Sequence, residues 1–324
     1  MLRLPPFEYL APKNLADAAQ LLAQYGDDAM LVAGGTDLFP NMKRRQMTPK
    51  FVIGLNALRE LRGIKNENGN VVIGAGTTLT QISQSLNLSA LATAAGLVSS
   101  PQLRNAGTIG GNLCLDTRCN YYDQTFFWRK AIGFCMKKDG DICLVAPGGN
   151  RCWAISSTDC APVAVALDAS VRLVGPKGER VIAAAELYRD DGMDYLTKAR
   201  DEILTEIILP PADGLRSTYL KLRRRNSIDF PILGVAAAVR VAPNGIVEHA
   251  RIILGAIASH PVQAIDAEKI LIGQRLSDDV IAAAADAAFK PAKPMDNADA
   301  AYAWRKKMVR VYVRRALTEL KEQN

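Results

Sequence analysis

The chain has 324 residues, 49% of them hydrophobic and 23% charged. That composition excludes a disordered or collagen-like polymer and leaves room for two domains with sizeable cores. Forty Lys and Arg against 33 Asp and Glu give a net charge of +7. The basic runs Lys43-Arg44-Arg45, Arg223-Arg224-Arg225 and Arg305-Lys306-Lys307 are short and scattered, with no RNA-binding aromatic signature and no zinc-finger histidines. Solvated helix faces account for them better than a nucleic-acid surface. No apolar run reaches the roughly 18 residues of a membrane-spanning helix. MLRLPPFEYL carries Pro5-Pro6 where a secretory leader would be apolar, so a cytoplasmic chain without membrane contacts is expected.

Taken in order, Asn14 is placed to cap a helix, with Asp17 three residues on and Gly26 at its stop. Leu15, Ala18, Ala19 and Leu22 supply the apolar face. Ala29–Ala33, Phe51–Ile53 and Val71–Ile73 read as buried strands, and their alternation with helical segments predicts an α/β opening. Beyond residue 160, Val171–Val174 and Arg180–Ile182 flank a Gly175–Gly178 turn, and Gly234–Val241 and Ile246–Ile257 flank Pro243-Asn244-Gly245. Both are hairpin signatures. Leu209-Pro210-Pro211-Ala212-Asp213-Gly214 between them is the best domain boundary. Trp304, Met308, Tyr312, Ala316 and Leu320 predict a C-terminal helix packed on the second core, with Arg305, Lys306, Arg310 and Arg314 on its other side.

Two glycine pairs and a set of cysteines carry the chemistry. Gly34-Gly35 follows a predicted strand in VAGGTDL, and Gly110-Gly111 lies in TIGGN. Glycine lets main-chain N–H groups converge on phosphate oxygens without a Cβ in the way. Thr36 and Thr108 add hydroxyls, but either pair alone is equally a tight turn. Neither matches a dinucleotide fingerprint or a Walker A loop. The six cysteines, Cys114, Cys119, Cys135, Cys143, Cys152 and Cys160, fall within 47 residues. In a large chain without a leader they point to a metal or redox centre rather than a disulfide framework.

The ordered blocks LPPFEYLAPKNLADAAQLL, AMLVAGGTDLFPNMK, VVIGAGTTLTQI, LRNAGTIGGNLC, STDCAPVAVALDA and YLKLRRRNSIDFPILGVAAAV resemble the FAD-binding subunit of the xanthine dehydrogenase family of molybdenum hydroxylases. The resemblance covers nearly the whole chain. It implies an α+β fold: a two-part, PCMH-like, non-Rossmann FAD-binding domain over residues 1–213 and a C-terminal antiparallel-sheet-and-helix domain of the CO dehydrogenase flavoprotein type over 214–324. It further implies that Leu31, Val32, Ala33, Gly34, Gly35, Thr36, Asp37 and Leu38 form a first FAD loop. Thr108, Ile109, Gly110, Gly111 and Asn112 would form the second. Asp159 is implied near the adenosine or ribityl portion and Lys221 near the flavin. A helix cap is the other reading of Asp159, because Ser156-Ser157-Thr158 precede it.

In that family the second glycine loop is followed closely by the segment beginning at Asp159, whereas here 46 residues intervene. About 116–156 therefore reads as an insertion, and one so long is expected to be functional. It holds seven of the chain's twenty aromatics, Tyr121, Tyr122, Phe126, Phe127, Trp128, Phe134 and Trp153, which need something to pack around. Cys119, Cys135, Cys143 and Cys152 belong to it alone; Cys114 and Cys160 read as small buried hydrophobes. Spacing leaves open an iron–sulfur cluster, zinc or inert thiols, though no pair of the four has knuckle spacing. The insertion is similar to that of the β-type subunit of 4-hydroxybenzoyl-CoA reductases, which implies a 4Fe–4S cluster on those four cysteines.

On that resemblance the chain is an electron-entry subunit of a molybdenum-containing reductive dehydroxylase. Ferredoxin would donate electrons through the cluster and FAD to a small 2Fe–2S subunit and a large molybdenum-cofactor subunit, in a heterohexamer. No catalytic acid, base or nucleophile is expected on this chain. A second reading keeps the FAD subunit but places it in an aldehyde-, xanthine- or CO-dehydrogenase-type hydroxylase, with the insertion a structural zinc or docking element. A third reading is a basic, zinc-bearing nucleic-acid binder, which a flavin spectrum would eliminate.

Overall fold

The computed structural model describes residues 2–85 and 89–323. The first helix spans Leu15–Tyr25. Asn14 Oδ1 accepts from the Asp17 amide at 2.9 Å, and Gly26 ends the helix at φ 49°. Its apolar face, Ala18, Ala19 and Leu22, packs on a small parallel sheet of β1 (Glu8–Leu10), β2 (Ala29–Val32) and β3 (Phe51–Gly54), ordered β1-β3-β2. The first glycine pair thus lies just past the carboxyl end of a parallel strand, where open α/β sheets commonly bind ligands.

A second sheet takes β4 (Ile64–Glu67), β5 (Asn70–Gly74), β6 (Ser170–Gly175), β7 (Gly178–Ala183) and β8 (Ile203–Leu209) in the antiparallel order β4-β5-β8-β6-β7. Its inward residues Ile73, Val171, Leu173 and Ile207 build one core with the helices Ser89–Leu97, Ile109–Leu113 and Cys160–Ala166. The third sheet, β9 (Leu215–Leu222), β10 (Leu233–Val241), β11 (Val247–Gly255) and β12 (Val262–Gln263), is antiparallel in the order β12-β11-β10-β9. The helices Ile265–Leu271, Asp278–Ala288 and Tyr302–Glu322 cover one face. Helix Cys160–Ala166 meets the other so closely that a Cβ on Gly255 would stand 2.7 Å from Pro162 Cγ. That double burial explains why β10 reads Gly-Val-Ala-Ala-Ala-Val, small and apolar on both sides. No helix among the described residues is long and apolar enough to cross a membrane.

Both predicted hairpins form, and the C-terminal helix packs on the third sheet. Its buried stripe differs from the expected one. A strict four-residue spacing drifts about 40° per step around a 3.6-residue helix. The inward residues are consequently Arg305, Val309, Val313, Ala316, Leu317 and Leu320, while Trp304 is 42% exposed. The sequence pattern puts Arg305 on the solvated side, yet it is fully buried.

The insertion leaves and rejoins the core through a narrow neck: Arg118 and Ile155 exchange two main-chain hydrogen bonds, at 2.8 and 2.7 Å. Within it one short helix, Phe126–Ala131, starts at Thr125, whose Oγ1 accepts from the Trp128 amide. The buried Arg129 guanidinium fixes this helix by donating to the carbonyls of Arg44 and Arg45. The aromatics do not gather around a common centre as expected. Tyr122 is buried, but Phe127 is 78% exposed, and Phe126 and Trp128 also face outward. Tyr121 and Tyr122 pack with Cys119, Cys135 and Cys152 in a small core, and polar anchors (Arg129 and the Tyr122 hydroxyl on Asp116) fix the insertion further.

Candidate functional site

The two glycine loops meet. A Cβ on Gly34 would stand 2.0 Å from the Ala106 carbonyl oxygen, so only glycine allows the first loop to touch the chain just before the second. Gly110 is pressed against β5 in the same way: its amide donates to Ala75 O at 2.8 Å, and a Cβ there would lie 2.7 Å from Ala75 Cβ. Together the loops line one large cleft of about 1050 Å³. Leu31 to Leu38 all border it, as do Thr108, Gly110, Gly111, Asn112 and Asp159. Ile109 does not; it is wholly buried in the core below.

The loops offer different things to a ligand. Gly35 and Thr36 donate their amides to no other described residue, which leaves them free to meet phosphate oxygens. In the second loop the amides of Gly110, Gly111 and Asn112 already serve Ala75 O, Thr108 Oγ1 and Thr108 O. That loop contributes close approach rather than spare donors. Asn112 Oδ1 accepts from Thr158 Oγ1 at 2.6 Å and from the Cys160 amide at 3.1 Å, tying the loop to the segment beyond the insertion.

Asp159 begins the helix Cys160–Ala166, but its carboxylate does not cap it. Thr158 Oγ1 takes the Ala161 amide instead, at 3.2 Å. The Asp159 carboxylate accepts from Tyr219 Oη at 2.8 Å and from Lys221 Nζ at 2.9 Å. Burial pushes this carboxyl above its usual range, against the opposing pull of Lys221. Lys221 is turned away from the cleft and serves Asp159 and Leu97 O.

Sequence reasoning missed the wall that the insertion supplies. Asp116 and Arg118, at its neck, border the cleft, as do Ile228, Asp229 and Phe230. Arg118 binds Asp37 Oδ1 at 2.6 Å and Asp123 Oδ1 at 3.2 Å. Burial raises the Asp37 carboxyl, Arg118 draws it down, and the neighbouring Asp116 and Asp123 raise it further. Asp116 is held by Tyr122 Oη at 2.9 Å and by the buried Lys137 Nζ at 2.8 Å. Nothing in the local pattern around Arg118 marks it, because its partner Asp37 lies 81 residues away in sequence.

The expected cluster ligands behave otherwise. Cys119, Cys135, Cys143 and Cys152 are free, buried and border one narrow cavity of about 10 Å³, scarcely the room for a single water. Among the described residues no group of three or more His, Cys, Asp or Glu side chains is disposed to hold a metal ion. Burial pushes the Cys119 thiol up to about 12 and Cys152 to about 11, so at neutral pH both are protonated and hydrophobic in character. The residues do not fit a cube of four irons and four sulfurs. Cys160 is wholly buried, and Cys114, half-buried, packs against the same core.

Residues 5–212 match the family model described as FAD binding domain in molybdopterin dehydrogenase, and residues 217–320 match that of the CO dehydrogenase flavoprotein C-terminal domain. The fold thus agrees with expectation, a PCMH-like FAD-binding domain followed by a CO dehydrogenase flavoprotein-type domain. The carbon monoxide dehydrogenase medium chain of Hydrogenophaga pseudoflava is 33% identical over 318 residues, covering 97% of this chain and 96% of its own. The nicotinate dehydrogenase FAD-subunit of Eubacterium barkeri is 31% identical over 278 residues, covering 84% and 81%. A chain of the reconstituted CO dehydrogenase from Oligotropha carboxidovorans superposes with a TM-score of 0.82 at 29% identity, covering 99% and 100%. With the cysteine geometry, these relatives overturn the expected 4Fe–4S-bearing 4-hydroxybenzoyl-CoA reductase subunit and its route from ferredoxin through a cluster. They favour the second reading, an FAD subunit of the hydroxylase type.

Proposed function

The chain belongs to the FAD-binding family of molybdopterin dehydrogenases, and we propose that it is the FAD-carrying electron-transfer subunit of a molybdenum-hydroxylase-type oxidoreductase. The observation that carries this reading is the cleft itself. Two loops, held in contact by glycines that tolerate no side chain, border one cavity large enough for a dinucleotide, with free amides on the first loop. Bound FAD supplies a centre that exchanges electrons singly or in pairs.

The residues of this chain bind, orient and enclose. Gly35 and Thr36 present donors to phosphate, while Gly34 and Gly110 let main chain approach. The Asp159 carboxylate, fixed by Tyr219 and Lys221, borders the same space as an acceptor for ligand hydroxyls. Residues 1–213 form the domain that carries the loops, and 214–324 form the domain whose β9 supplies Tyr219 and Lys221. Relatives named as a medium chain or an FAD-subunit support a complex in which substrate is transformed on another chain. Its partners are then a large molybdenum-cofactor chain and a small iron–sulfur chain.

The test is direct. The purified full-length chain is expected to show a flavin absorbance spectrum and to release about one FAD per chain on denaturation. A folded chain that takes up no FAD would sink the proposal.

A further inference from the structure

We infer that Arg118, which the insertion brings to the cleft, is a positioning residue that clasps Phe230 in the cleft wall and so governs how readily the cofactor leaves. The inference rests on the chain carrying FAD. Arg118 sits at the neck, its main chain paired with Ile155 on both sides. Its guanidinium is paired with Asp37 and Asp123 and its Cζ lies over the Phe230 ring, 3.8 Å from the centroid. Its Nε is buried without a hydrogen-bond partner, a sign that stacking on the ring, rather than a full set of polar bonds, sets its orientation.

Phe230 needs such a clasp. It is 46% exposed and belongs to the connection between β9 and β10, so core packing does not hold it. On the far side the same connection is tied to Ser99 O by the Ile228 amide at 3.1 Å. Ile228 has φ 61°, a left-handed conformation that a β-branched side chain resists. Such strain persists only where the surroundings over-determine it. Ser99 and Arg118 both tether this stretch, and between them Ile228, Asp229 and Phe230 border the cleft. A lysine at 118 keeps the charge but lacks the planar face.

The experiment is a double-mutant cycle read as FAD release, using the full-length chain purified with whatever subunits accompany it. Release is followed by the rise of free-flavin fluorescence after dilution. Arg118→Met and Phe230→Ala are each expected to speed release about tenfold. The double variant is expected to match either single one, because each residue acts through the other. Arg118→Lys keeps the ion pairs with Asp37 and Asp123 and is expected to release as fast as Arg118→Met; it replaces that variant in the cycle should Arg118→Met fail to fold. Wild-type release rates in the Arg118 variants, or effects that multiply in the double variant, overturn the clasp while leaving the cofactor reading intact. A wild-type chain that takes up no FAD overturns the cofactor reading, and the clasp with it.

Discussion

Lys221 Nζ lies 2.9 Å from Asp159 Oδ2, and both side chains are almost wholly buried. The pair bridges β9 and the head of the helix Cys160–Ala166, directly behind the cleft. Each partner is also bonded elsewhere, Asp159 to Tyr219 Oη and Lys221 to Leu97 O. Removing one partner strands the other as an unpaired buried charge. Lys221→Met is expected to cost about 3–5 kcal/mol in urea unfolding. Replacing both with apolar residues, Lys221→Met with Asp159→Leu, should recover much of that loss. A stability of Lys221→Met equal to wild type would show that the pair does not hold the two elements together.

Gly34→Ala and Gly110→Val place carbon atoms where Ala106 O and Ala75 already stand. The contacts are with main chain, or with a methyl fixed to it, so neither can swing away. Each variant is expected to retain less than about a tenth of the wild-type flavin after purification. The measurement is the ratio of flavin to protein absorbance. Normal flavin content in Gly34→Ala would mean that the loops can separate without loss of the site.

Arg305 donates to Ile232 O, Met295 O, Ala256 O and Asn297 Oδ1 from a position without solvent. Burial lowers its pKa to about 10, which leaves it charged at neutral pH. Asn297 in turn donates to Trp153 O of the insertion. Arg305→Ala leaves these carbonyls unsatisfied in a cavity and is expected to cost about 3–5 kcal/mol in chemical denaturation. Arg310→Ala on the exposed side of the same helix should change stability by less than about 0.5 kcal/mol.

The insertion thiols predict an alkaline limit. Folding raises Cys119 to about 12 and Cys152 to about 11 from an ordinary value of 9. The folded state therefore holds its protons more tightly than the unfolded one. The stability this represents is fully present below pH 9 and is lost as pH rises through about 11 to 12. Unfolding monitored by circular dichroism should show that decline, and Cys119→Ser with Cys152→Ser should flatten it. At pH 8, iodoacetamide should modify both at least about tenfold faster in urea than in the native chain.

Where a property depended on neighbours along the chain, the sequence disclosed it. Asn14 and Gly26 bound the first helix, and the hairpins turn at Gly178 and Gly245. Arg305 could not be placed, because a helical wheel cannot say which carbonyls wait on the inner side. Arg118 was invisible for the same reason, as its contacts with Asp37 and Phe230 join stretches far apart in sequence. The four insertion cysteines mark the opposite error. Their clustering in sequence does bring them to one cavity, yet ligating a cluster also requires room between the sulfurs, and tertiary packing alone decides that. Local patterning thus determined caps, turns and strands, which follow local rules, while the flavoprotein scaffold was legible only through the resemblance of the ordered sequence blocks to a known family. The tertiary structure alone decided that the insertion walls the cleft with a guanidinium rather than carrying a redox centre, because ligand geometry is set by long-range packing.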